Sequence, residues 1–305
     1  MVLEEKSIVF CIATHSIEVV MPTTFDWERV LHSFKPFECN AAERKKAICS
    51  IRIVEEPFAI EQDSLCVLHE ESGILGYWYA LMEKGQNFIV DVQFVENGNH
   101  YRMVSDKRFS AATIYIGRND KYTDMILSSL MAIVYTQSAV FHQTLLIHAS
   151  AVEKNGQGYA FLGKSGTGKS THSALWLRHI EGVELLNDDN PALHIEEDGS
   201  VYLYGTPWSG KTPCYKNRSV RLEALIRLEQ AVENRLTWKK GVNALITLLP
   251  SCSSMRWSEL LYAQMCNLAA EVSGKVKIGH LQCLPDKNAA LLCYNEIKKC
   301  KFAAK

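Results

Sequence analysis

The stretch Phe161–Thr171, Phe-Leu-Gly-Lys-Ser-Gly-Thr-Gly-Lys-Ser-Thr, constrains this chain more than any other. Gly163, Gly168, Lys169 and Ser170 satisfy the pattern G-x-x-x-x-G-K-[ST] in full, and Gly166 adds a third glycine inside the loop. Glycines let successive backbone N–H groups turn into one concavity, and a helix that starts directly afterwards adds the positive end of its dipole. The context agrees with such a loop. Gly158–Leu162 reads as a short buried strand, and Ser170–Ile180 carries Ala174, Leu175, Leu177 and Ile180 at helical spacing. The pattern therefore predicts a phosphate loop in which Gly163, Lys164, Ser165, Gly166, Thr167, Gly168, Lys169, Ser170 and Thr171 surround a nucleotide's phosphates. Lys169 is expected to reach the β- and γ-phosphates and the Ser170 hydroxyl to ligate Mg²⁺. The plainer alternative is a glycine-rich turn from strand to helix with no ligand.

A chain of 305 residues allows about two domains, and 47% apolar residues are ample for a core. With 33 basic against 34 acidic residues and no basic run, a nucleic-acid backbone is a poor partner. The ten cysteines form no C-x-x-C pair and are expected to be reduced and mostly buried. Met1–Lys6 runs into an alternating strand pattern rather than a signal sequence. The apolar tract Met125–Phe141 is interrupted by Ser128, Ser129, Thr136, Gln137 and Ser138, which suits a buried helix better than a membrane span. The expectation is a cytoplasmic protein without membrane contact.

Along the first part of the chain, β-branched runs separated by turn residues recur. They fall at Ser7–Met21 (two strands or a hairpin), Ala47–Val54, Ser64–Leu68, Ile74–Met82, Asn87–Phe94, Tyr101–Ser105 and Ala112–Ile116. A short helix is expected around Trp27–Phe34. This β-rich half carries no chemical motif, and His15, His32, His69 and His100 lack metal-ligand spacing. Asn119-Asp120-Lys121 caps a predicted helix over Tyr122–His142, expected to lie against the second half. The domain boundary is placed near residue 120, giving 1–120 as a β-rich N-terminal domain and 121–305 as the domain bearing the loop.

In the second half, Leu145–Val152 reads as one strand with His148 near its centre, and Glu153–Gly158 as a hairpin turn into the strand before the loop. Val183–Leu186 ends in Asn187-Asp188-Asp189-Asn190-Pro191. Acidic residues at the end of a strand beside a phosphate loop are where a metal ligand or a catalytic base belongs, although Asn, Asp and Pro also favour plain turns. Ala192–Ile195 and Ser200–Tyr204 form a hairpin, and Gly205–Pro213 is rich enough in Gly, Pro, Trp208 and Lys211 to suit ligand or partner binding. Val220–Leu228 reads as a strand with a charged edge, and Glu229–Arg235 as a polar segment. Helices are expected at Asn243–Leu249, Trp257–Val272 and Lys287–Lys299, with a strand at Val276–Leu284.

His148, the glycine-rich loop and the Asp188-Asp189 pair together resemble the superfamily that unites HPr kinase/phosphorylase with phosphoenolpyruvate carboxykinase. His148 stands fifteen residues ahead of Gly163, which fits the HPr kinase arrangement. The resemblance runs from about Leu145 to Arg235. It implies an α/β fold with a mixed sheet: a P-loop core of HPr kinase/carboxykinase type behind a β-rich α+β N-terminal domain. It also implies roles. Lys169 contacts the transferring phosphate, Ser170 and Asp188 hold Mg²⁺, Asp189 takes the proton from the acceptor hydroxyl, His148 lies near the γ-phosphate, and Arg235 is the late catalytic arginine. The sequence departs from HPr kinases at Tyr202, which stands where a metal-binding glutamate belongs, and at Thr206–Lys211, which replaces the glycine-rich signature. Divergent relatives acting on a serine of another protein or of a precursor peptide are closer.

The resulting expectation is an ATP- and Mg²⁺-dependent kinase of HPr kinase-like type, with a serine-bearing protein or peptide as its partner. Related kinases form oligomers, so a homo-oligomer is compatible with this reading. Two alternatives stay open: a carboxykinase-like phosphotransferase acting on a small molecule, and a nucleotide-binding regulatory protein without catalysis.

Overall fold

A computed structural model describes residues 4–39, 45–60, 63–73, 77–96, 98–117, 120–210 and 212–300. The chain is mixed α/β and divides into two compact units. One comprises Met1–His142 with Met255–Leu261, the other Gln143–Ser254 with Tyr262–Lys305.

The first unit is built on an eight-stranded sheet. In chain order its strands are β1 (Glu5–Ile12), β2 (His15–Pro22), β3 (Ala47–Val54), β4 (Cys66–Ser72), β5 (Trp78–Lys84), β6 (Asn87–Gln93), β7 (His100–Asp106) and β8 (Ala111–Tyr115). They lie in the order β1-β2-β3-β8-β7-β6-β5-β4, parallel at β2–β3 and β3–β8 and antiparallel elsewhere. The expected first hairpin is present, its two-residue turn made by Ala13 and Thr14 at φ 45° and 72°. The predicted helix after it is a single turn, α1 (Trp27–Val30), continued by a 3-10 segment over His32–Phe37 that contains Pro36. Part of the predicted strand Ile74–Met82 and the predicted cap residue Asn119 lie outside the described residues.

Helix α2 (Thr123–Ala139) packs on β3, β7 and β8, and the Tyr135 hydroxyl donates to the Ile12 carbonyl at 2.9 Å. The helix thus belongs to the first unit, and the division falls at His142/Gln143 rather than near residue 120. A helix apolar on most sides carries no sequence mark of which sheet will bury it. By length and composition Thr123–His142 could span a membrane, but most of its window is buried inside the protein.

The expectation of reduced cysteines also needs correction, because Cys11 and Cys39 form a disulfide. The backbone brings them together: Phe10 and Glu38 make a bridge, and the Cys39 N–H donates to the Val9 carbonyl at 2.9 Å. Of the free cysteines, Cys49, Cys214, Cys252 and Cys293 are buried.

The second unit holds a nine-stranded sheet. Its first strands are β9 (Thr144–Leu146), β10 (Ala149–Lys154), β11 (Gln157–Leu162), β12 (Glu184–Asn187), β13 (Ala192–Ile195) and β14 (Val201–Tyr204). The later ones are β15 (Ser219–Gln230), β16 (Arg235–Lys239) and β17 (Lys277–Cys283). The helices are α3 (Lys169–His179), α4 (Val242–Leu248), α5 (Glu259–Lys275, which belongs to this unit from Tyr262 onward) and α6 (Lys287–Lys299). The main path runs β12-β10-β11-β15-β14-β13-β9, and β17 pairs with the second half of β15 and with β16. Long β15 forks the sheet, since its Ser219–Arg221 end pairs β14 and its Ala224–Gln230 end pairs β17.

Asn155 and Gly156, at φ 52° and 76°, make the tight β10–β11 turn that an Asn-Gly pair favours. Tyr159, Phe161, Trp176, Ile226 and Leu281 form a core with α6 through Cys293 and Ile297. β11 runs parallel to β15, and β15 to β17. β11 and β12 are both antiparallel to β10 and hence share a direction. The carboxyl ends of β12, β11, β15 and β17 therefore lie along one edge of the sheet, the edge at which open α/β sheets bind ligands.

Candidate functional site at the carboxyl edge of the second sheet

The glycine-rich loop leaves β11 at Leu162 and enters α3 at Lys169. Gly166 and Gly168 hold φ of 81° and 99°, in the left-handed region, and a Cβ on either would project into open space. At Gly163 a Cβ would stand 2.6 Å from the Thr167 Oγ1, so glycine is required there by contact. The loop closes on itself through the Thr167 N–H, which donates to the Lys164 carbonyl at 3.2 Å. Lys169 is buried, and its Nζ donates to the carbonyls of Gly163 at 3.0 Å and Lys164 at 3.2 Å. Lys164, Ser165, Ser170 and Thr171 are exposed.

Register brings the other candidates to the same edge. Ala149 pairs Leu162, so His148 falls beside the start of the loop, and Ala151 pairs Asn187 at the end of β12. The predicted strand Leu145–Val152 is interrupted at this point. Ile147 bridges Cys252, and the His148 N–H donates to the Ser251 carbonyl at 2.7 Å. His148 thus sits in a break between β9 and β10 rather than in mid-strand. Its Nε2 is 4.0 Å from the Asp189 Oδ1, and the Asp189 Oδ2 accepts from Asn190 Nδ2 at 2.7 Å. Asp188 is buried, its Oδ1 accepting from the Ser150 hydroxyl at 2.6 Å. Ser150 lies 2.6 Å from the hydroxyl of Ser173 on α3. Ser170 stands one turn nearer the loop on the same helix face.

The electrostatics follow from burial. Desolvation pushes the Lys169 ammonium below its ordinary pKa, with Arg227 adding to the fall and Asp189 and Asp188 opposing it. Desolvation raises the Asp189 carboxyl, against the pull of His148 and Lys169. It lowers His148, helped by the Lys169 charge and opposed by Asp189, so the imidazole is neutral at pH 7. The site is a partly desolvated set of opposite charges in which the ammonium rests on backbone carbonyls and the carboxylate on the Asn190 amide, with the imidazole 4.0 Å away.

Several contributors carry no motif of their own. Arg227, read in the sequence only as part of a charged strand edge, pairs Leu162 across β11–β15. It is half-buried, and its guanidinium donates to Thr247 O at 2.7 Å and Ser251 Oγ at 3.2 Å. Arg235, by contrast, opens the edge strand β16, three strands from β11, and is exposed. The arginine the fold sets beside Lys169 is Arg227. Asn187 is fully buried and organises the acidic turn: its Oδ1 accepts from the N–H groups of Asp189 at 2.9 Å and Asn190 at 3.0 Å. Its Nδ2 donates to the Trp208 carbonyl at 3.1 Å, tying the Gly205–Pro213 loop to the site. Trp208 is buried as an anchor, and Lys211 lies outside the described residues.

The residues fit a nucleotide phosphate with its cation. The space that a Cβ at Gly166 or Gly168 would enter is open, the Lys169 ammonium lies on the carbonyls of the same loop, and the Ser170 hydroxyl and Asp188 carboxylate are hard oxygen donors of the kind Mg²⁺ takes one or two of. The chain matches no protein-family model, and no curated protein is significantly similar to it.

Proposed function

We propose that the protein is an HPr kinase-like phosphotransferase that moves the γ-phosphoryl group of ATP, with Mg²⁺, to a hydroxyl, a serine of a protein or peptide. The observation that carries this reading is the convergence of Lys169, Asp188, Asp189 and His148 on the mouth of the Gly163–Ser170 loop. In this reading the fold is a P-loop core of HPr kinase/carboxykinase type joined to a β-rich N-terminal half.

Lys169 leaves the carbonyls of Gly163 and Lys164 for phosphate oxygens, and the N–H groups of the loop and of the first turn of α3 hold the rest of the chain of phosphates. Ser170 and Asp188 hold the cation, which neutralises phosphate charge when bound. Asp189 accepts the proton of the serine hydroxyl at a carboxylate oxygen. Its raised pKa brings its basicity closer to neutral pH, where a general base works best. His148, neutral, shares that proton's path beside Asp189, and Arg227 adds a second fixed positive charge beside Lys169. Positioning and charge stabilisation account for most of the catalysis in phosphoryl transfer.

The test is transfer from γ-labelled ATP to serine-bearing proteins and peptides, with HPr included. The Asp189→Asn variant should lose about a thousandfold or more in rate while still binding nucleotide. Full activity in that variant would remove Asp189 from the role of base. A second reading, nucleotide binding without transfer, is favoured by Tyr202 at the position where the resemblance implies a metal-binding glutamate. Tight Mg·ATP binding with no labelled acceptor would establish it. Turnover of oxaloacetate with ATP would instead favour the carboxykinase-like alternative.

A further inference from the structure

Arg102 and Arg218 each meet carboxylates, Asp91 in one case and Glu153 with Glu184 in the other. Arg227 is half-buried, and among the described residues no carboxylate pairs with it. Burial pushes its guanidinium below the ordinary arginine pKa, as expected of a cation short of counter-charge. Its Nε–H donates to the Thr247 carbonyl at 2.7 Å and its Nη2 to the Ser251 Oγ at 3.2 Å. A guanidinium presents five N–H donors in one rigid plane, and these two lie along the same edge. The tip formed by Nη1 and the second Nη2 hydrogen has no partner among the described residues. A tip of that kind takes two oxygens of a phosphate at once.

The two acceptors come from one short piece of chain. Thr247 stands in the last turn of α4, where carbonyls lack intrahelical partners and favour a cation. Ser251 ends the 3-10 turn that follows and is only 3% exposed. Its backbone is fixed without help from its hydroxyl. The Ser251 carbonyl accepts from the His148 N–H at 2.7 Å, Cys252 bridges Ile147, and the Ser253 N–H donates to the Leu146 carbonyl at 3.0 Å. One hydrogen bond to Thr247 leaves the guanidinium plane free to turn about the Nε–H direction. The second bond, to Ser251, fixes the plane and so the aim of the tip.

We infer that Ser251 is a positioning residue: its hydroxyl holds Arg227 by one edge so that the unpartnered tip of the guanidinium is aimed at the terminal phosphate beside Lys169. Ser251 itself touches no ligand and acts only through Arg227. The inference rests on the phosphate-loop reading, which supplies the phosphate that the tip would meet.

Equilibrium binding of Mg·ATP and of Mg·ADP to the full chain tests it, in wild type, Ser251→Ala, Arg227→Ala and the double variant. Ser251→Ala keeps the Cβ and the carbonyl that holds His148, so the turn is expected to fold as before. Wild type should bind ATP about tenfold more tightly than ADP, and Arg227→Ala should remove most of that preference. Ser251→Ala should cost about fivefold for ATP and leave ADP within about twofold. In the Arg227→Ala background it should cost nothing further, because a residue acting through another has no effect once that partner is gone. A merely structural serine would instead lower the affinity of both nucleotides alike, or repeat its loss without Arg227. Either of those results, an unchanged ATP affinity in Ser251→Ala, or a wild type indifferent between ATP and ADP would overturn the role of Ser251 alone. A wild type that binds neither nucleotide, or binds them regardless of Lys169→Ala, would overturn the phosphate-loop reading and this inference with it.

Discussion

Each unit gathers ionisable side chains, and the two gatherings differ in kind. In the first, Asp91 on β6 is 2% exposed and fully engaged. Its Oδ1 meets His100 Nδ1 at 2.8 Å, its Oδ2 accepts from Arg102 Nε at 2.8 Å, and Arg102 also donates to the Phe58 carbonyl. Arg102 is the direct cross-strand neighbour of Asp91, so register alone assembles the set. In the second unit His148 and Asp189 stop 4.0 Å apart, and Lys169 spends its donors on loop carbonyls. A cluster that satisfies itself holds a fold together. One that keeps a partly desolvated carboxylate apart from a buried ammonium leaves room for a charged ligand.

The largest effect should come from breaking the closed cluster. Asp91→Ala strands Arg102 and should cost the first unit about 4 kcal/mol in denaturant unfolding, with Mg·ATP affinity unchanged. If the loss were under about 1 kcal/mol, the distinction between the two clusters would fail.

Acid stability sharpens the comparison next. The folded pKa of His172 is depressed to about 4 from an ordinary 6.5, so between those values the unfolded chain binds the extra proton. Stability from this residue is complete above pH 6.5 and falls as pH drops toward 4, by up to roughly 3 kcal/mol. His172→Gln should flatten that limb of a stability–pH curve. An identical curve would show that burial of the ring is not what acid disrupts.

The open cluster should respond in the opposite sense from the closed one. Lys169→Met removes a desolvated ammonium, so stability without ligand should hold or rise, while Mg·ATP affinity falls on the order of a hundredfold. Calorimetry paired with thermal unfolding reads both at once. A variant that unfolds readily and still binds ATP would make Lys169 structural.

What the sequence made legible follows the range of the interactions. The loop, its flanking strand and helix, and the β1–β2 and β10–β11 hairpins rest on contacts between near neighbours, where residue type and spacing suffice. Asp188 and Asp189 were visible because a strand ends on them. Arg227 was not, because its place depends on β11 and β15 lying parallel in register, a pairing across some sixty residues that leaves no local trace. The boundary moved past α2 for a related reason: its apolar pattern does not say which sheet buries it, and among its partner strands β3 lies far upstream in sequence. The break at His148 was hidden for a related cause: Ser251 and Cys252 reach it from a hundred residues downstream. Strand β16 escaped notice because its five residues alternate only weakly and it needs β17 as a template.

Amide hydrogen exchange of the full chain, with and without Mg·ATP, tests the central claim most directly. If the carboxyl edge of the second sheet is an open phosphate site, the amides of Gly163–Thr171 and Asp188–Asn190 should slow by about tenfold or more, while those of β6 and β7 around Asp91 stay as they were. Protection absent from the loop, or equal in both clusters, would contradict the account.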